Sequence, residues 1–71
     1  MDYDYSKLKG KIVEFYETHT AFAKAMKMGR VSLYRKLNNQ SEWTQDEMER
    51  AMSLLKIPRS SVRAYFFNHK V

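Results

Sequence analysis

One stretch limits the possible fold more than any other: Phe22-Ala23-Lys24-Ala25-Met26-Lys27-Met28-Gly29-Arg30-Val31-Ser32-Leu33-Tyr34-Arg35-Lys36-Leu37. Phe22 and Met26 make an i, i+4 apolar pair, and Leu33 and Leu37 make a second. Lys27-Met28-Gly29 lies between them and leaves room for a tight turn only. The spacing predicts two short helices, from about His19 to Lys27 and from about Arg30 to Asn38, with the remaining chain as the scaffold that fixes their angle. Thr18 stands where it can cap the first of them. Ala23 is small enough for a neighbouring helix to pack over it, and Met28 is the apolar group available to plug the core beneath the turn.

The flanking segments also read as helices. Over residues 5–17, Tyr5, Leu8, Ile12 and Phe15/Tyr16 recur at helical spacing and would face the core. Asp2 and Asp4 precede this helix, where negative charge favours a start. Gly10 inside it costs about 1 kcal/mol against alanine, and a close helix approach is one reason it could be there. Asn38-Asn39-Gln40-Ser41-Glu42 is a polar loop. Thr44-Gln45-Asp46-Glu47 is a capping box, and Trp43 and Met48 flank it at the spacing of a hydrophobic staple. Trp43 therefore reads as a core-edge anchor rather than a platform for base stacking. Met48, Ala51, Met52 and Leu55 form the inward stripe of a fourth helix. Ile57-Pro58 ends it, and Pro58 can open the next. Val62, Tyr65 and Phe66 give a short final stripe, with Phe67 and Val71 as further apolar surface. Tyr65, Phe66 and Phe67 cannot all point inward from one helix, so they either close the core over the first helix or form a homodimer surface. There is no alternating strand pattern, and the expected fold is all-α, a single domain over 1–71 with five helices.

Charge singles out the opening stretch again. The chain carries 13 basic and 8 acidic residues, net +5, and from Thr18 to Ser41 there are five basic residues (Lys24, Lys27, Arg30, Arg35, Lys36) and no acidic one. The rest of the chain is neutral. A basic surface attracts polyanions, although basic residues are often no more than a solvated helix face. No run approaches the ~20 apolar residues of a membrane span, the start Met1-Asp2-Tyr3-Asp4 is unlike a signal peptide, and cysteine is absent. A cytoplasmic protein is expected, with no membrane partner, metal or cofactor. Catalysis is not expected either: His19 and His69 lie on different segments without a carboxylate at motif spacing, and no phosphate loop or nucleophile elbow occurs. No small-molecule substrate is expected.

Ser32-Leu33-Tyr34-Arg35-Lys36-Leu37-Asn38 and Glu42-Trp43-Thr44, within a pattern running from about 5 to 67, resemble the small Cro/CI-type (XRE-like) helix-turn-helix proteins of temperate bacteriophages. More narrowly, the opening Asp2-Tyr3-Asp4-Tyr5-Ser6-Lys7-Leu8-Lys9-Gly10-Lys11-Ile12-Val13 and the closing Tyr65-Phe66-Phe67 resemble the short Cro-like proteins called modulators of repression, which oppose a CI-type repressor in the lysis–lysogeny switch. The resemblance implies a lambda-repressor-like DNA-binding domain in a bacterial host cell, with the helix-turn-helix over about 19–38, Ala23 as its small contact residue and Leu33 as the buried residue of the recognition helix. It also marks two departures. Lys27 stands where the family has a turn glycine, at a cost of ~1–2 kcal/mol if it adopts the left-handed conformation. Gly29 stands where the family has a serine or threonine cap.

With Leu33 and Leu37 inward, Arg30, Val31, Tyr34 and Arg35 point outward, with Ser32 and Asn38 at the edges. These six are the candidate binding residues. Arg30 and Arg35 could each bond guanine O6 and N7, Val31 could pack on a thymine methyl, and Tyr34 could reach a phosphate or base edge. Thr18, His19 and Thr20 on one flank, and Lys36, Asn39 and Gln40 on the other, would contact phosphates. The first expected partner is double-stranded operator DNA. The alternative is a CI-type repressor protein, because Gly29, Val31 and Tyr34 make the face more apolar than a DNA reader needs, and aromatic and arginine residues favour protein interfaces.

Overall fold

The computed structural model describes residues 2–70. Helix α1 spans Ser6–Tyr16, α2 His19–Ala25, α3 Arg30–Leu37, α4 Gln45–Leu54 and α5 Val62–Phe66, with a 3-10 turn at Arg59–Ser61 before α5. The protein is all-helical, with five α-helices and no strand among the described residues; an isolated antiparallel bridge joins Tyr3 to His69. Among the described residues, no helix is long and apolar enough to cross a membrane. Val71 lies outside the described residues.

Side chains from every helix meet in one core. Leu8 and Ile12 of α1, Phe22 and Ala23 of α2, Leu33 and Leu37 of α3, Ala51 and Met52 of α4 and Phe66 of α5 are buried, together with Tyr5, Met26, Leu55 and Ile57. Between the two adjacent aromatics of α1, the core takes Tyr16, which packs on Phe22 with ring centroids 5.3 Å apart. Phe15 is turned out, 38 % exposed, and the Lys11 ammonium lies 5.4 Å from its ring centroid. That corrects the inward reading of Phe15: neighbours in a helix point ~100° apart, and the core accepts one of them. Trp43 is a core anchor, set edge-on to Phe66 at 5.1 Å. Gly10 has open space where a side chain would be, so no close approach explains it.

Local chemistry sets the helix ends. The Asp4 carboxylate accepts the Ser6 N–H and hydroxyl, and these bonds hold its pKa below the ordinary value. The Thr18 hydroxyl accepts the Ala21 N–H at 3.1 Å. Both arms of the Thr44–Glu47 capping box are formed, at 3.2 and 2.9 Å. Three helices stop the same way. After α2, α3 and α4 the chain turns through a left-handed residue, Lys27 (φ 59°), Asn39 (φ 62°) and Lys56 (φ 55°). The N–H of the next residue then returns to a carbonyl inside the helix: Met28 to Ala23, Gln40 to Arg35, Ile57 to Met52. This is the Schellman closure, for which glycine is the usual left-handed residue. It ends α2 at Ala25 and α3 at Leu37, short of the Lys27 and Asn38 expected from spacing. Pro58 does not open α5 directly; it precedes the 3-10 turn.

Candidate functional site

Helix α3 lies on the core by one side and faces solvent by the other. Leu33 and Leu37 are buried, and Arg30, Val31, Ser32, Tyr34 and Arg35 are exposed, with Asn38 exposed just beyond the helix. Val31 is 61 % exposed and Tyr34 62 %, the two most exposed large apolar side chains among the described residues. Tyr34 is three residues after Val31 and four after Arg30, and Arg35 is four after Val31, so these four side chains are neighbours on the helix surface. Lys24 and Lys27 add exposed charge on α2 and in the turn. Among the described residues, no acidic group lies within ion-pair range of Lys24, Lys27, Arg30 or Arg35. The face therefore combines unneutralised cations with an exposed aromatic and an exposed valine.

The N-terminal end of α3 is weakly secured. Gly29 stands at the cap position and offers no side-chain bond. Lys27 does take the left-handed conformation, with its strain. Among the described residues the turn has one tie from afar, which no spacing in the sequence marks: Arg50 of α4 donates from Nη1 to the Met26 carbonyl at 2.8 Å. Met28 is half-buried against the core.

Two flanking residues read as phosphate contacts do other work. Lys36 is buried, 8 % exposed, and its ammonium donates to the Glu42 carbonyl at 2.9 Å and pairs with Glu47 Oε1 at 2.9 Å. A lysine so placed cannot reach a phosphate without abandoning a half-buried carboxylate. Burial raises the Glu47 pKa, but the Thr44 N–H and the Lys36 ammonium outweigh it and hold the carboxyl below its ordinary range. The Asn39 side-chain amide is likewise occupied, exchanging two bonds with the Tyr3 backbone. Asn38 remains exposed, but its Nδ2 donates to the Tyr34 carbonyl at 2.7 Å. Thr18, Thr20 and Gln40 are exposed and His19 is half-buried. Thr18 is occupied as an acceptor by the α2 cap. Of the three aromatics read as a possible homodimer surface, Phe66 is buried, Tyr65 is half-buried, and Phe67, at 43 % exposure, faces out.

Residues 1–69 match the family DUF739, described as a protein of unknown function. The chain belongs to this family. Among solved structures, this DUF739 chain is similar to the solution structure of the modulator of repression of the temperate bacteriophage TP901-1 from Lactococcus lactis. The two are 41 % identical, the match covers 100 % of this chain and 96 % of that one, and the TM-score is 0.84. No curated protein matches. The family description carries no activity. The structural relative bears on the narrower of the two resemblances read from the sequence, that to modulators of repression.

Proposed function

We propose that the protein is a modulator of repression in a phage lysis–lysogeny switch and acts by binding a CI-type repressor through the outer face of α3. The observation that carries this reading is the pair Val31 and Tyr34, both more than half exposed at the centre of that face. Exposing them has no benefit for folding, whereas an aromatic beside arginines is the usual make-up of a protein-interface hot spot. The likeness to a phage modulator of repression over the whole chain supports it. Docking would bury Val31 and Tyr34 and pair Arg30 and Arg35 with acceptors on the repressor. It would change the repressor's DNA binding either by masking its DNA-binding surface or by forming a joint complex.

The four unpaired cations on α2, the turn and α3 favour a second reading, in which the same face binds operator DNA in a Cro-like manner. Salt separates the two. Phosphate contacts make affinity fall steeply with ionic strength, while burial of Val31 and Tyr34 does not. The test is to mix the protein with its cognate repressor and with the switch-region DNA, separately and together, at two salt concentrations. Co-elution with the repressor at both supports the first reading. A salt-sensitive shift of the DNA by this protein alone, without any repressor complex, replaces it with the second.

A further inference from the structure

Three segments distant in sequence meet at the C-terminal end of α3. Asn39, in the left-handed conformation, accepts the Tyr3 N–H through Oδ1 at 2.9 Å and returns its Nδ2 to the Tyr3 carbonyl at 3.0 Å. This reciprocal pair imitates the exchange of backbone bonds between two strands. On the same arm, Tyr3 forms an antiparallel bridge with His69, the Asp4 N–H donates to the Asn68 carbonyl, and the Lys70 N–H donates to the Asp2 carbonyl. The Tyr3 ring lies 4.9 Å from the His69 ring and meets Phe67 edge-on at 5.9 Å. Residues 2–4 are thus held by residues 67–70 and, through Asn39, hold the end of α3.

That grip passes directly into the outer face. The Gln40 N–H returns to the Arg35 carbonyl, so the residue after Asn39 is bonded to the last turn of α3. Asn38, the residue before it, donates to the Tyr34 carbonyl. A shift of Asn39 therefore moves the peptide groups that carry Tyr34 and Arg35. We propose that Asn39 is a positioning residue: its paired bonds to the Tyr3 backbone seat the last turn of α3, and with it the Tyr34 and Arg35 side chains that dock the partner. The docking half of this inference rests on the reading of α3 as the docking face.

Two variants test it. Asn39→Gly keeps the left-handed backbone without strain and removes both bonds. Asn39→Asp keeps an acceptor for the Tyr3 N–H but sets a carboxylate against the Tyr3 carbonyl. Amide hydrogen exchange, resolved by residue, and affinity for the cognate repressor are both measured. In Asn39→Gly the Tyr3 amide should lose protection and the amides of Tyr34–Leu37 should exchange roughly 10-fold faster, while those of Ile12 and Leu55 stay as in the wild type. Repressor affinity should fall about 10-fold, with Asn39→Asp in between, and the loss should largely vanish in a Tyr34→Ala background because the two residues act as one unit. Unchanged exchange in α3 overturns the proposal, as does faster exchange with wild-type affinity. If the wild type forms no repressor complex, the docking reading fails, and the exchange pattern decides on its own whether Asn39 seats the helix.

Discussion

The two ends of α3 are built differently. At the C-terminal end, Lys36 is bonded to Glu42 and Glu47, Asn38 to Tyr34, and Asn39 to Tyr3. At the N-terminal end, Gly29 gives no cap, Lys27 sits in a strained conformation, and the one distant bond is from Arg50 to Met26. Polar groups that look alike in sequence thus have opposite fates. At the C-terminal end the lysine and the amides are used within the fold. At the N-terminal end and along the outer face, Lys27, Arg30, Val31, Tyr34 and Arg35 are left to solvent. The C-terminal end, tied to the loop and α4 through Lys36 and to the N-terminal arm through Asn39, is a fixed base, and the outer face that rises from it keeps its side chains free in solvent.

The largest effect should come from untying the base. Glu47→Ala removes one arm of the capping box and leaves Lys36 without its carboxylate. Breaking a fully buried pair from one side costs about 3–5 kcal/mol, and this pair is partly open, its side chains 10 % and 21 % exposed. The surviving Glu42 carbonyl offsets part of the loss, so we expect about 2 kcal/mol by denaturant unfolding, or roughly 8–16 °C in Tm for a chain of this size. A loss no greater than about 0.5 kcal/mol, the scale of a surface pair, would mean that the base is not tied as described.

A smaller effect should appear with acid. Because the folded Glu47 carboxyl titrates below its ordinary range, the unfolded chain takes up this proton more readily. The contribution is complete above the ordinary glutamate range and is lost as pH falls through the lowered value. Between about pH 6 and about pH 3 the wild type should lose stability more steeply than Glu47→Gln. Parallel profiles would contradict the pairing.

At the other end, changes should stabilise. Lys27→Gly relieves the left-handed strain, and after the flexibility cost of glycine we expect a gain of about 0.5–1 kcal/mol in guanidinium unfolding. A loss of stability would show that the Lys27 side chain contributes something its position does not reveal. The smallest change is Gly29→Ser. An added Cβ there would meet no atom closer than Ser32 Oγ at 4.0 Å, and a serine cap should add about 0.3 kcal/mol.

Much of this was legible in the residues. Leu8, Ile12, Leu33, Leu37, Ala51 and Met52 announce the core by helical spacing, and Thr44 with Glu47 announces its cap by a local rule. The outer face followed from the inward pair Leu33 and Leu37. What stayed hidden depends on meetings across the chain. A lysine on a short helix looks like surface until Glu47, 11 residues on, is folded against it. The Asn39–Tyr3 pair spans 36 residues and the Arg50–Met26 bond spans 24. Side-chain bonds to distant backbone follow no period, so nothing in the spacing marks them. The choice of Tyr16 over Phe15, and of Phe66 over its aromatic neighbours, depends on helix rotation by one residue, which composition does not resolve.

The measurement that bears most directly on α3 as a docking face is a calorimetric titration of the cognate CI-type repressor with the wild type and with Tyr34→Ala. Tyr34 is 62 % exposed, so its removal should leave Tm within about 2 °C of the wild type. A hot-spot tyrosine is worth about 2 kcal/mol or more, so Kd should rise roughly 30-fold, by a similar factor at low and high salt. A repressor bound equally tightly by both proteins would contradict the assignment of α3 as the docking face.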